Sequence, residues 1–257
     1  MQTTSLVKDS VFSLPLDLMG LIERFKVSAV NQGFRVETFG QQGPFPLIAL
    51  TKRSTGLKPR IYLSAGIHGD EPAPPLTLLR LLESGFFGSQ ATWFICPVLN
   101  PEGLKLGTRE SPSKADLNRA FKIPIEPETQ AHVHWLKRQP NFNLTLCVHE
   151  DWEAKGFYLY ELNPNNKPSL ADIMLCAAKD YSPIDLSPLI DGREANQGII
   201  HTDPNPANRD LWPESIYLIA KHHAGLHYTL ETASGFPLTQ RLNTMDAVIR
   251  AAISSLK

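Results

Sequence analysis

Two uninterrupted apolar runs constrain this chain most: Thr92-Trp93-Phe94-Ile95-Cys96-Pro97-Val98 and Leu144-Thr145-Leu146-Cys147-Val148. Neither alternates with polar residues, so neither suits a sheet with one wet face. Each reads as a strand covered on both sides. Shorter strand-like runs stand at Phe34–Phe39, Pro46–Leu50, Ile61–Ala65, Phe157–Tyr160 and Leu226–Leu230. Helical spacing lies between them, at Leu16–Val30, Pro72–Leu82, Glu126–Lys137, Ser169–Lys179 and Leu238–Leu256. The prolines of the second of these helices fall in its first turn, where a missing N–H matters least. Buried strands alternating with helices predict one α/β domain over residues 1–257, with a mixed, mostly parallel twisted sheet and helices on both faces. Right-handed crossovers would then place the strand C-termini on one edge. Asn100-Pro101-Glu102-Gly103 reads as a turn, and 182–213, rich in Pro, Asn, Asp and Gly, reads as long loops over that edge.

Charge and composition exclude several classes. The net charge is −1, which gives no footprint for nucleic acid or an anionic membrane surface. No apolar run reaches the roughly 18 residues that a spanning helix needs. Met1–Asp17 lacks a basic start followed by a long apolar stretch, so no signal peptide is expected. Cys96, Cys147 and Cys176 form no CxxC pair and read as buried free thiols, which suits a reducing cytoplasm. Nothing in the sequence marks an oligomeric state.

The residues that carry chemistry gather at strand ends. His68 and Glu71 stand three apart just past Ile61–Ala65, in Gly66-Ile67-His68-Gly69-Asp70-Glu71. At that spacing an imidazole and a carboxylate can grip one divalent metal. His149 follows Leu144–Val148 and is the natural third ligand. Two His and one Glu leave zinc an open position for water, the arrangement of a catalytic site. Glu231 ends the strand Leu226–Leu230, where a carboxylate is costly without a task; it would serve as general base. Asp116-Leu117-Asn118-Arg119 supplies a clamp, with Arg119 able to hold a carboxylate through two parallel hydrogen bonds and Asn118 adding a donor. Arg109 is a second cation nearby in sequence, able to face an oxyanion. The other histidines read as structural. His132 and His134 face different ways on one helix, and His222, His223 and His227 straddle a helix-to-strand boundary. Glu150-Asp151-Trp152-Glu153 reads as an acidic turn, open to selecting a basic group or to plain solvation.

HGDE, NPEG, DLNR, a strand-borne His and a late Leu230-Glu231-Thr232 stand in the order found in the zinc carboxypeptidases. The chain resembles that carboxypeptidase A-like family, in its compact bacterial form, near the succinylglutamate desuccinylase/aspartoacylase branch. The resemblance implies one zinc ion on His68, Glu71 and His149, with Glu231 as the catalytic base. It implies that Asn118 and Arg119 bind the substrate's terminal carboxylate and that Arg109 stabilises the oxyanion. It also implies that Asp116 orients the His68 ring. The expected enzyme is a zinc metallocarboxypeptidase acting on a peptide with a free carboxylate. The alternative is an N-acyl amino acid amidohydrolase that uses the same machinery.

Overall fold

The computed structural model describes residues 17–222 and 225–256. Leu16, the reading of the leading stretch and His223 therefore lie outside the described residues. The described chain runs α1 (Leu18–Asn31), β1 (Arg35–Gln42), β2 (Phe45–Lys52), β3 (Arg60–Ala65), α2 (Ala73–Glu83), β4 (Thr92–Cys96) and α3 (Pro101–Leu106). It continues through α4 (Pro127–Leu136), β5 (Leu144–Asp151), β6 (Tyr158–Leu162), α5 (Ala171–Ala178), β7 (Leu189–Ile190), β8 (Arg193–Glu194), β9 (Ile199–His201), α6 (Glu214–His222), β10 (Leu226–Ala233) and α7 (Leu238–Ser254).

The main sheet has eight strands in the order β1-β2-β4-β3-β5-β10-β6-β9. Its centre, β4-β3-β5-β10, is parallel throughout; β1 pairs antiparallel with β2, β2 with β4 and β6 with β10, while β9 pairs parallel with β6. Side chains alternate across this sheet. Ile61, Leu63, Leu144, Leu146, Val148, Tyr228 and Leu230 enter one core with α1, α2, α5 and α7. Tyr62, Phe94, Cys96 and Cys147 enter a second core with α4 and α6. Helices thus cover both faces, and the parallel strands deliver their C-termini to one edge. That edge carries His68, His149 and Glu231.

Several expectations need correction. β5 does not stop at Val148; it runs to Asp151, so His149 sits inside the strand. Glu150 is therefore no part of a turn. It points to the face opposite His149, where its carboxylate accepts from Ala73 N at 2.8 Å and from Arg241 Nη1 at 2.5 Å. The Ala73 N–H belongs to the first turn of α2 and has no partner within the helix. Likewise β10 extends past Glu231 to Ala233. Asn100–Gly103 is not a simple turn but the start of α3: the Asn100 side chain accepts from Gly103 N, and Pro101 takes the first helical position. The stretch 182–213 contains the β7–β8 hairpin, and β9 joins the main sheet. Of the three thiols, Cys96 and Cys147 are buried, whereas Cys176 is exposed.

Two glycines set the shape of the edge. Gly66 leaves β3 at φ +63°, a backbone that side chains rarely adopt. A Cβ on Gly69 would lie 1.9 Å from the carbonyl carbon of Gly103. The HGDE turn and the start of α3 therefore touch backbone to backbone.

Candidate metal centre

His68, Glu71 and His149 converge. One donor atom from each lies within 4.8 Å of the others, and all three side chains are buried. His68 Nδ1 and Glu71 Oε1 are 2.5 Å apart, and His149 Nδ1 and Glu71 Oε2 are 2.9 Å apart. The two imidazole rings are 5.0 Å apart, centre to centre. Two imidazoles and a carboxylate brought together in this way fit a divalent cation of the zinc type.

The charges of this trio lean on one another. Burial would lower the pKa of His68, but the Glu71 carboxylate and Asp116 override it and raise the ring to about 9. Burial would raise Glu71, but the two imidazoles hold it down at about 2. His149 is raised against its burial by Glu71.

Asp116 joins the trio to the clamp. Its Oδ1 lies 3.2 Å from His68 Nε2 and accepts from Asn118 N at 2.9 Å. Its Oδ2 accepts from Arg109 Nε at 3.2 Å and Nη2 at 3.1 Å. Burial alone would raise this carboxyl, yet His68 and the neighbouring guanidiniums hold it well below the usual range. A carboxylate behind a metal-facing imidazole fixes the ring. The same carboxylate caps the short 3₁₀ turn Leu117–Arg119, which presents Asn118 and Arg119. Asn118 Oδ1 accepts from Glu214 N at 2.9 Å. Arg119 is exposed, bonded to the Asn118 carbonyl at 2.9 Å, and has no ion pair among the described residues. Arg109 Nη1 stands 3.8 Å from Glu71 Oε1.

Glu231 lies level with His149 on the adjacent strand β5 and level with Tyr158 on β6. Burial, foremost, pushes its carboxyl well above the usual range; Glu71, Asp151 and Asp191 add to this, and His149 opposes it. A cleft of about 420 Å³ opens over the edge, lined among others by His68, Glu71, Arg109, Asn118, Arg119 and Glu231. All the site residues read from the sequence thus meet around one cleft, except that His149 and Asp116 support it from beneath.

This geometry can be set beside known proteins. The succinylglutamate desuccinylase/aspartoacylase catalytic domain matches residues 58–153, which include His68, Glu71, Asp116 and His149 and end before Glu231. A candidate metallopeptidase from Shewanella amazonensis superposes with a TM-score of 0.82 at 23% identity, covering 93% of each chain. A candidate carboxypeptidase A from Shewanella denitrificans gives 0.70 at 17% identity, covering 96% of this chain and 71% of that one. A metallo-carboxypeptidase from Pseudomonas aeruginosa, in complex with (2-guanidinoethylmercapto)succinic acid, gives 0.65 at 17% identity over 92% and 67%. The chain has the metallo-carboxypeptidase fold. The resemblance drawn from the ordered motifs holds, and the carboxypeptidase fold together with the matched domain supports a metallohydrolase.

On this carboxypeptidase fold the cleft also takes residues that the sequence did not single out. Tyr158 and Tyr160 line it from β6, Asp191 and Arg193 from the β7–β8 hairpin, and Arg209 from the loop before α6. Tyr158 donates to Asp151 Oδ2 at 2.9 Å, and Tyr160 donates to Asp191. Their i, i+2 spacing on β6 was the available signal, since it puts both rings on one face. The remaining histidines are structural where described: His132 is buried and His134 exposed. His227 is buried between the hydroxyls of Thr145 and Thr229, at 2.7 and 3.1 Å.

Proposed function

We propose that the protein is a zinc-dependent hydrolase that cleaves an amide bond next to a free carboxylate, acting as a carboxypeptidase. The convergence of His68, Glu71 and His149 next to the cleft that Glu231 lines carries this reading. These three side chains would hold a single zinc ion, which when bound supplies Lewis-acid polarisation of the carbonyl and acidifies water. Glu231 takes the proton of the attacking water and returns it to the leaving amine. Arg109 donates to the oxygen on which negative charge develops. Arg119 and Asn118 hold the substrate carboxylate, and Asp116 keeps the His68 ring in place. Residues 1–257 act as one catalytic unit in this reading. The three free thiols fit a reducing cytoplasm. No described helix is long and apolar enough to cross a membrane.

The test compares zinc-loaded wild type with Glu231→Gln on peptides that end in a free carboxylate or an amide. Turnover confined to the free carboxylate, and a fall in kcat of roughly 10²–10⁴-fold in the variant at unchanged zinc content, are expected. Full activity in Glu231→Gln removes it from the mechanism.

The match of residues 58–153 to the desuccinylase/aspartoacylase domain favours a second reading, an N-acyl amino acid amidohydrolase. Turnover of N-acetyl or N-succinyl amino acids with none of peptides decides for it.

A further inference from the structure

Beneath the clamp lies a buried carboxyl that the proposed chemistry does not use. Glu214, the first residue of α6, is 1% exposed. No lysine or arginine pairs with it among the described residues; its one ion-pair neighbour is His132 Nε2 at 3.9 Å. Instead its Oε1 accepts from Tyr62 Oη at 2.6 Å and its Oε2 from Ser64 Oγ at 2.9 Å. Tyr62 Oη also lies 2.9 Å from His132 Nε2. Burial, foremost, pushes the Tyr62 hydroxyl well above its usual pKa, so it stays a donor. Both hydroxyls come from β3, the strand that leads into His68. A carboxyl sealed among apolar side chains is expensive to bury, and Glu214 does not line the cleft.

Its main chain does reach the clamp. The Glu214 N–H, one that the helix itself cannot satisfy, donates to Asn118 Oδ1. That bond decides which end of the Asn118 amide faces the cleft. With Oδ1 engaged by α6, Nδ2 is the end of the amide left over for the cleft that Asn118 lines, and its N–H groups suit an anion. The flipped amide would set N–H against N–H at α6 and present an oxygen to the substrate's carboxylate, which repels it.

We propose that Glu214 is a positioning residue for the substrate carboxylate: its side chain, tied to Tyr62 and Ser64, fixes the first turn of α6, whose N–H holds the Asn118 amide as a donor. The proposal rests on the carboxylate clamp described under Proposed function, and it separates from that clamp experimentally.

The first readout needs neither metal nor turnover. In ¹⁵N-labelled protein the Asn118 side-chain amide signals are identified by their loss in Asn118→Ala. They should shift or broaden in Glu214→Gln, and move less in Ser64→Ala, which removes one hydroxyl and serves if Glu214→Gln folds poorly. Signals unmoved in both variants overturn the proposal. The second readout is kinetic, in zinc-loaded enzyme. Glu214→Gln and Asn118→Ala should each raise KM on the order of tenfold with kcat within about twofold, and the double variant should add nothing further. A merely structural Glu214 would lower kcat and KM effects would multiply in the double variant, which also overturns the proposal. KM unchanged in Asn118→Ala removes Asn118 from the clamp, whereas the link from Glu214 to the amide is decided by the amide signals alone.

Discussion

Two buried polar clusters sit on neighbouring strands of this sheet, and they are built on different rules. The trio of His68, Glu71 and His149 stands under the open cleft and contains one carboxylate, two imidazoles and no hydroxyl between them. The cluster of Tyr62, Ser64, His132 and Glu214 is sealed within the second core, and hydroxyl groups satisfy its carboxyl. Two imidazoles and a carboxylate converging on one point suit a cation; a carboxyl ringed by hydroxyls is already served. Burial alone does not separate the two. The identity of the partners does.

The sharpest way to break this contrast is His149→Ala. It should abolish zinc binding and reduce turnover by more than about 10³-fold while the metal-free protein keeps its fold, since catalytic metal and ligand go together. Elemental analysis with circular dichroism checks it, and retained zinc would dissolve the distinction. The next largest effect belongs to the far side of the same strand. Arg241→Met strips Glu150 of its counter-charge. Burial already pushes that carboxyl up to about 7 against the pull of Arg241. A buried pair broken on one side costs about 3–5 kcal/mol. Without Arg241 the carboxyl rises above 7, so the loss should be small at pH 6, where Glu150 is protonated in both proteins, and should grow as the pH rises past 7. Denaturant unfolding at pH 8 and pH 6 reads it.

Tyr62→Phe tests the sealed cluster. It should lower stability by about 1–3 kcal/mol with or without zinc, because it leaves a buried acceptor short of a donor. A stability change that appears only with zinc bound would merge the two clusters into one. The smallest effect concerns His227, behind both. Burial, foremost, and the charge of His149 depress its pKa from 6.5 to about 3. Below pH 6.5 the unfolded imidazole takes a proton that the folded one refuses, so stability present above pH 6.5 is lost as the pH falls toward 3. By pH 5 that amounts to about 2 kcal/mol. In His227→Asn the difference in unfolding free energy between pH 8 and pH 5 should narrow by that amount; an unchanged difference would show that the acid sensitivity lies elsewhere.

Much of the fold was legible because its central strands are covered on both faces and leave continuous apolar runs. β4 and β5 stand out for that reason, and the polar residue that follows each run marks the functional edge. The ends were harder. β5 was cut short at Val148 because His149, Glu150 and Asp151 look like a chain leaving the sheet, yet each has its own partner: Glu71, Arg241 and Tyr158. α3 was hidden by the turn chemistry of Asn100-Pro101-Glu102-Gly103, although Asn before Pro is also how a helix opens. The wall carrying Arg193 and Arg209 was illegible, since β7 and β8 have only two residues each and Arg209 lies in a loop, outside any strand or helix. The motif residues of the site were readable from local spacing. Glu214 was not, because what it touches lies about 150 positions away.

The contact between Gly69 and Gly103 has a wider meaning. It welds the loop that carries His68 and Glu71 to the helix that precedes Arg109, with no side chain between them to give way. Repacking elsewhere cannot relax such a joint. Even one methyl group at position 69 would have to push these two segments apart together, so the spacing of His68 and Glu71 from Arg109 is inherited as a unit and drifts as a unit.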